Sequence, residues 1–160
     1  MTIAYEDSYA GRLRRAVGDR WLILPSARAI IRDAAGRVLL VRRRDNGRWV
    51  MPAGSLELGE SILDCLKREV KEESGLDVVS ATLIAVYSAP RFAFTNAYGG
   101  DHQMLSLIFR VDAWAGELAT ATDETTDACF FASDALPSLP PLYEETLRDL
   151  ALYDGTVILK

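Results

Sequence analysis

Apolar positions recur at two different spacings along the chain, and the changes of spacing mark its elements. Residues 6–17 carry Tyr9, Leu13 and Val17 four apart, which predicts a short amphipathic helix. Two β-rich runs, Ala27 to Asp33 and Val38 to Arg43, meet around Asp33-Ala34-Ala35-Gly36, a turn signal, and predict a hairpin. Trp49 to Met51 predicts a short strand stopped by Pro52. Ser61 to Ser74 predicts a helix: Ser61 with Asp64 three residues on resembles a capping box, and Gly75 stands where a C′ glycine belongs. Val78 to Ser88 and Met104 to Val111 are apolar and β-rich, and Pro90 to Gln103 between them reads as a long loop. Ala128 to Phe131 predicts a final strand, and Pro141 to Tyr153 a terminal helix with Leu142, Tyr143, Leu147, Leu150 and Ala151 on its apolar side. Strands mixed with helices predict a layered α/β (α+β) domain. It takes in residues 1–160, with 1–20 as an N-terminal helical extension.

Composition narrows the class. The 160 residues suffice for one core without staples, and 49% hydrophobic with 26% charged residues excludes wholesale disorder. A net charge of −5 speaks against a nucleic-acid-coating protein. Cys65 and Cys129 cannot make a disulfide framework, so a reduced, cytoplasmic setting is expected. The first residues show neither a basic n-region nor an apolar h-region, so no signal peptide is expected. The longest uncharged stretch, Val78 to Pro90, is too short to span a bilayer.

The predicted helix 61–75 carries acids where apolar residues belong. On a wheel of about 100° per residue with Ile62 at zero, Leu66, Val70 and Leu63 fall between about 40° and 100°, and Cys65 at about −60°. Glu69 and Glu73 land near −20° and 20°, inside this apolar stripe, and Glu72 near −80°, at its edge, by the same roughly 100° step. Carboxylates three and four apart repel one another, so this face needs a cation. Arg68 neutralises part of the charge; a hard divalent ion with oxygen ligands does so better.

With its approach loop the stretch reads G-x5-E-x7-R-E-V-x-E-E-x-G-L, from Gly54 to Leu76. It resembles the Nudix box, the signature of the Nudix hydrolases, at every fixed position. Trp49-Val50-Met51-Pro52-Ala53-Gly54 is similar to the W-x-x-P-G-G segment that leads into the box, with Ala53 where Gly is usual. The resemblance covers about residues 24–140 and implies a mixed β-sheet between helices, an α/β/α sandwich.

That resemblance implies a set of roles. Glu69, Glu72 and Glu73 match the metal-binding glutamates, and Glu60 an earlier box glutamate that is a supporting ligand or a neighbour of the ligands. Arg68 matches the arginine that orients the carboxylates, and the Gly54 carbonyl can serve as a ligand. The implied activity is Mg²⁺-dependent hydrolysis (Mn²⁺ could substitute) of a nucleoside diphosphate linked to another group, by attack of water on phosphorus. A nucleoside triphosphate, an oxidised nucleotide or a nucleotide-sugar is the expected small-molecule partner. Neither a membrane nor a nucleic acid is expected, and a homodimer is the remaining candidate assembly. The alternative from another class is a nucleotide-sensing module that binds without turnover.

A further acid before the last strand serves as base or ligand in many such proteins, and Glu124 fits that place. Arg42-Arg43-Arg44 ends a strand facing Trp49; any one of these arginines could hold substrate phosphates, and Arg42, Arg44 and Trp49 are the substrate-binding candidates taken from this stretch. Phe92, Phe94 and Tyr98 could stack on a base. His102, Trp21, Trp114 and both cysteines read as packing residues. Pro90, fourteen residues past the box, lies near but not at the place of the proline associated with ADP-ribose hydrolases.

Overall fold

The computed structural model describes residues 3–95 and 100–160. The elements, in chain order, are α1 (Tyr9–Val17), β1 (Leu22–Ile30), β2 (Val38–Arg43), β3 (Trp49–Val50), β4 (Ala53–Ser55), α2 (Ile62–Ser74), β5 (Asp77–Tyr87), β6 (Ala93–Thr95), β7 (Asp101–Ala115), β8 (Thr125–Phe131), α3 (Pro141–Leu152) and β9 (Ile158–Leu159). A mixed sheet runs β4-β1-β7-β5-β9, with β6 also on β7. β1 is parallel to β7, and β7 is antiparallel to β5. A smaller antiparallel sheet runs β3-β2-β8. No described helix is long and apolar enough to cross a membrane.

Burial explains why β1 sits inside the sheet. Ser26 through Ile30 are all buried, so both faces of the strand are covered. Ala27, Ala29 and Ile31 face one apolar cluster with Leu66 and Val70 of α2. Ile30, Met51, Tyr87 and Ile108 belong to a second cluster, packed by Leu142, Leu147 and Leu150 of α3. β2 divides its side chains between the two, Leu39 and Val41 to the first, Val38 and Leu40 to the second.

The structure changes three expectations. The 27–43 hairpin survives only at its turn, where Gly36 N donates to Asp33 O, Leu39 N donates to Ile31 O, and Arg32 bridges Val38. Beyond the turn the strands part, β1 to β4 and β7, β2 to β3 and β8, because a strand buried on both faces needs neighbours that a hairpin cannot supply. The 90–103 loop is shorter than expected: Pro90–Phe92 forms a 3-10 turn, β6 follows, and β7 begins at Asp101. Cys129 and Trp21, expected in the core, are exposed.

Candidate metal centre

Both ends of α2 are fixed by the residues expected to fix them. Ser61 Oγ accepts from the Asp64 amide (3.2 Å), and the Asp64 carboxylate accepts from the Ser61 amide (3.1 Å). Gly75 ends the helix at φ 76°, a left-handed conformation that glycine adopts without strain. The helix so held presents Glu69 and Glu73, both buried, toward β4. A β-carbon at Gly54 would fall on the Glu69 carboxylate, so the glycine is what lets that side chain lie against the strand. The Ala53 amide donates to Glu73 Oε2 (3.0 Å).

Glu124 completes the group from the loop before β8. Ligand atoms of Glu69, Glu73 and Glu124 lie within 4.8 Å of one another. Arg44 shapes that loop: its guanidinium donates to the carbonyls of Asp123 (3.1 Å), Thr122 (2.7 Å) and Thr125 (3.1 Å), and its amide to the Glu124 carbonyl (2.9 Å). Thr125 Oγ1 donates to the Glu73 carbonyl (3.1 Å), tying the loop to α2.

Arg68 serves several acids at once. Nε and Nη2 donate to both oxygens of Glu60 (3.0 and 2.7 Å), and Nη1 to Glu69 (2.6 Å) and Glu72 (3.2 Å). Glu60 also accepts from the Glu57 amide (2.7 Å). Burial works against ionisation of Glu60, but the bonds from Arg68 and that amide prevail and hold its carboxyl below the usual range. Burial pushes Glu69 up to about 7 despite Arg68, with Glu124 and Glu72 adding repulsion. Glu73 is raised well above its ordinary value by burial and by Glu69, and Glu124 is raised by burial and by Glu72. The protein itself leaves these carboxylates short of positive charge.

The remaining candidates divide sharply. Arg43, between the two arginines singled out from the sequence, is the one that reaches the cluster: it forks onto Asp45 (3.0 and 2.9 Å) and extends Nη1 to Glu73 (3.5 Å). Strand alternation puts Arg43 on the side of β2 that carries Leu39 and Val41, the side packed on α2, and Arg42 on the other. Arg42 instead donates to the Gly47 carbonyl (3.1 Å). Glu57 was also missed: it accepts from the Tyr9 amide (2.7 Å) and joins α1 to the box loop. Phe92 is not free to stack on a base, because the 3-10 turn buries it face to face with Tyr87 (4.8 Å). Trp49 is half-buried with its ring edge-on to Phe131 (5.0 Å). Tyr98 lies outside the described residues. The Gly54 carbonyl has the Cys65 thiol at 3.6 Å, and burial pushes that thiol up to about 12.

Residues 23–151 match the family model of the NUDIX domain. An ADP-ribose pyrophosphatase of Methanocaldococcus jannaschii is 34% identical over 116 residues, covering 71% of this chain and 64% of that protein. An NAD-capped RNA hydrolase, NudC, of Vibrio vulnificus is 34% identical over 115 residues, covering 68% of this chain and 40% of that protein. The chain therefore spans less than two thirds of these curated relatives. Among solved structures, a MutT NUDIX hydrolase from Burkholderia pseudomallei superposes with a TM-score of 0.66 at 25% identity, covering 81% of this chain and 98% of that one.

Proposed function

The chain belongs to the Nudix family, and from that premise we propose that it is a divalent-cation-dependent pyrophosphohydrolase acting on a nucleoside diphosphate joined to a second group. The observation that carries the reading is the convergence of Glu69, Glu73 and Glu124 within 4.8 Å. Their donor set is all oxygen, buried and mutually repelling, which fits Mg²⁺ or Mn²⁺ and would not fit a soft metal. Glu69, Glu73 and Glu124 would hold the ion, with Glu72 beside them. Bound there, it neutralises diphosphate charge and polarises the phosphoryl oxygens.

The chain's own groups divide the remaining work. Arg68 fixes the rotamers of Glu60, Glu69 and Glu72, so the acids are oriented before substrate arrives. The Ala53 amide and Arg43 do the same for Glu73. No described residue donates a hydrogen bond to the Glu124 carboxylate, so one of its oxygens would face the ion and the other would be left to orient a water and take its proton. Phosphoryl transfer needs alignment and charge balance more than a covalent nucleophile, and this site provides the first two.

A nucleotide-sugar of the ADP-ribose type is the leading substrate, supported by the M. jannaschii relative. Hydrolysis of a panel of nucleoside triphosphates, oxidised nucleotides and nucleotide-sugars tests the proposal, run with Mg²⁺ and with EDTA in ¹⁸O-water. Turnover that requires metal and places the label on phosphate is the expected result. Label on carbon, or full activity in EDTA, would overturn the mechanism. Binding without turnover would make this a sensing module.

A further inference from the structure

Arg28 lies in the middle of β1 at 6% exposure. It forms no ion pair among the described residues, and its Nε has no hydrogen-bond partner. Nη1 donates to Thr146 Oγ1 (3.1 Å), and the guanidinium sits 4.4 Å from the centroid of the Tyr143 ring. The buried acid of α3, Asp149, is already engaged by Lys160 Nζ (2.7 Å) and the Tyr87 hydroxyl (2.5 Å). A buried guanidinium without an anion is costly, and a protein that needed only packing here would do better with an apolar side chain.

The surroundings are polar in a regular way. Register pairs Ser55 with Ser26, Ser26 with Ser106 and Ser106 with Tyr87, so one row across β4, β1, β7 and β5 carries a hydroxyl at every strand. Directly paired residues share a face of the sheet. The adjoining row holds Ala53 and Arg28 as cross-strand partners, and the Ala53 amide is the one that binds Glu73. Arg28 therefore lies on the face covered by α3, one strand in from the edge strand β4, while the carboxylates lie on the α2 side of that edge and meet Ala53 through its amide.

We propose that Arg28, with Ser26, Ser106 and Thr146, binds an oxyanion on the part of the substrate distal to the scissile diphosphate. The assignment to substrate rests on the pyrophosphohydrolase reading; the oxyanion site itself does not. A substrate whose diphosphate is held at the glutamates would pass around the edge strand β4 at Ala53 onto this row, and a distal phosphate or carboxylate would supply the charge Arg28 lacks. Guanidinium–oxyanion pairing of this kind is directional and discriminating. Removing Arg28 leaves no new orphan on α3, because the Thr146 hydroxyl already donates to the Leu142 carbonyl (2.9 Å).

Two measurements test this on wild type, Arg28→Met and Arg28→Lys. The first is thermal unfolding in EDTA with and without millimolar inorganic phosphate. Wild type should gain about 2–4 °C, Arg28→Met should gain nothing, and Arg28→Met without phosphate should melt at or above wild type. The second compares kcat/KM for two nucleoside diphosphate sugars differing only in a phosphate monoester on the distal sugar. Wild type should favour the phosphorylated one, and Arg28→Met should lose about 30-fold or more on that substrate alone, with part of the loss recovered in Arg28→Lys. An Arg28→Met protein that melts several degrees lower and keeps the phosphate shift would overturn the proposal in favour of a packing role. A phosphate shift without substrate preference would assign the site to a free oxyanion and overturn the substrate claim. Absence of any turnover alongside an Arg28-dependent phosphate shift would defeat the pyrophosphohydrolase reading and, with it, the assignment to substrate, but not the oxyanion site.

Discussion

On the α2 side of the large sheet, the carboxylates of Glu60, Glu69, Glu72, Glu73 and Glu124 crowd around Arg68 and Arg43; on the α3 side, Arg28 pairs with no carboxylate among the described residues. The two regions meet at one strand, β4, through Ala53. The carboxylate cluster is short of positive charge, and the Arg28 guanidinium is without an anion among the described residues. A cation completes the first and an anion the second. A nucleotide bound with its divalent ion carries both, which is why the contrast points to one extended ligand rather than two unrelated defects.

The largest effect that could break this contrast is at the crowded side. Glu69→Gln or Glu73→Gln should lower kcat on the order of 10³-fold while leaving the metal-free protein no less stable, because a neutral amide replaces a carboxyl whose charged form burial and its neighbours already disfavour. A loss of stability in EDTA comparable to the loss of activity would mean that the carboxylates hold the helix. Glu124→Gln should cost about 10²-fold in kcat with little change in KM, as for a lost base. Activity within about threefold of wild type would return Glu124 to a solvated loop.

A smaller effect sharpens the comparison through pH. Glu69, with its value near 7, and Glu73, raised well above its ordinary value by burial and by Glu69, hold protons in the folded protein that the unfolded chain has already released. The native state then binds more protons, so stability falls as pH rises through the folded values. His102 works the other way at lower pH: burial keeps it neutral, so its contribution is lost as pH falls below about 6.5. Melts in EDTA from about pH 6.5 to about pH 8 should therefore show a declining Tm, and Mg²⁺ should flatten the decline. A Tm that rises across that window would contradict the account. The smallest effect belongs to the helix end: Ser61→Ala should cost about 1 kcal/mol through the lost cap and leave the response to Mg²⁺ unchanged.

The same two regions differ in how readily the chain reveals them. The α2 side was legible because its signals are local: Ser61 with Asp64, Gly75, and glutamates three and four apart inside an apolar stripe. Glu124 could be placed only through family likeness, since its proximity to α2 depends on Arg44 and Thr125 across long sequence separations. The hairpin at 27–43 was misjudged because an unbroken buried run reads alike whether its partner lies across the turn or in another sheet. Arg43 is the arginine of the Arg42-Arg43-Arg44 run that continues the Leu39 and Val41 side of β2, but which side of that strand meets α2 is set by packing and not by the run itself. Arg28 was not noticed at all. One arginine in a β-rich run carries no signal until β4, β7 and α3 close around it without bringing an acid.

The central claim, that the α2 carboxylates form a divalent-cation site, is tested most directly by thermal unfolding of wild type and Glu73→Gln in EDTA and in Mg²⁺. With a Kd near 1 mM, about 5 mM Mg²⁺ should stabilise wild type by about 1 kcal/mol, a rise in Tm of about 2–4 °C. Glu73→Gln should match or exceed wild type in EDTA and lose most of that rise. A Glu73→Gln protein that melts several degrees lower in EDTA and keeps its full Mg²⁺ shift would contradict the claim.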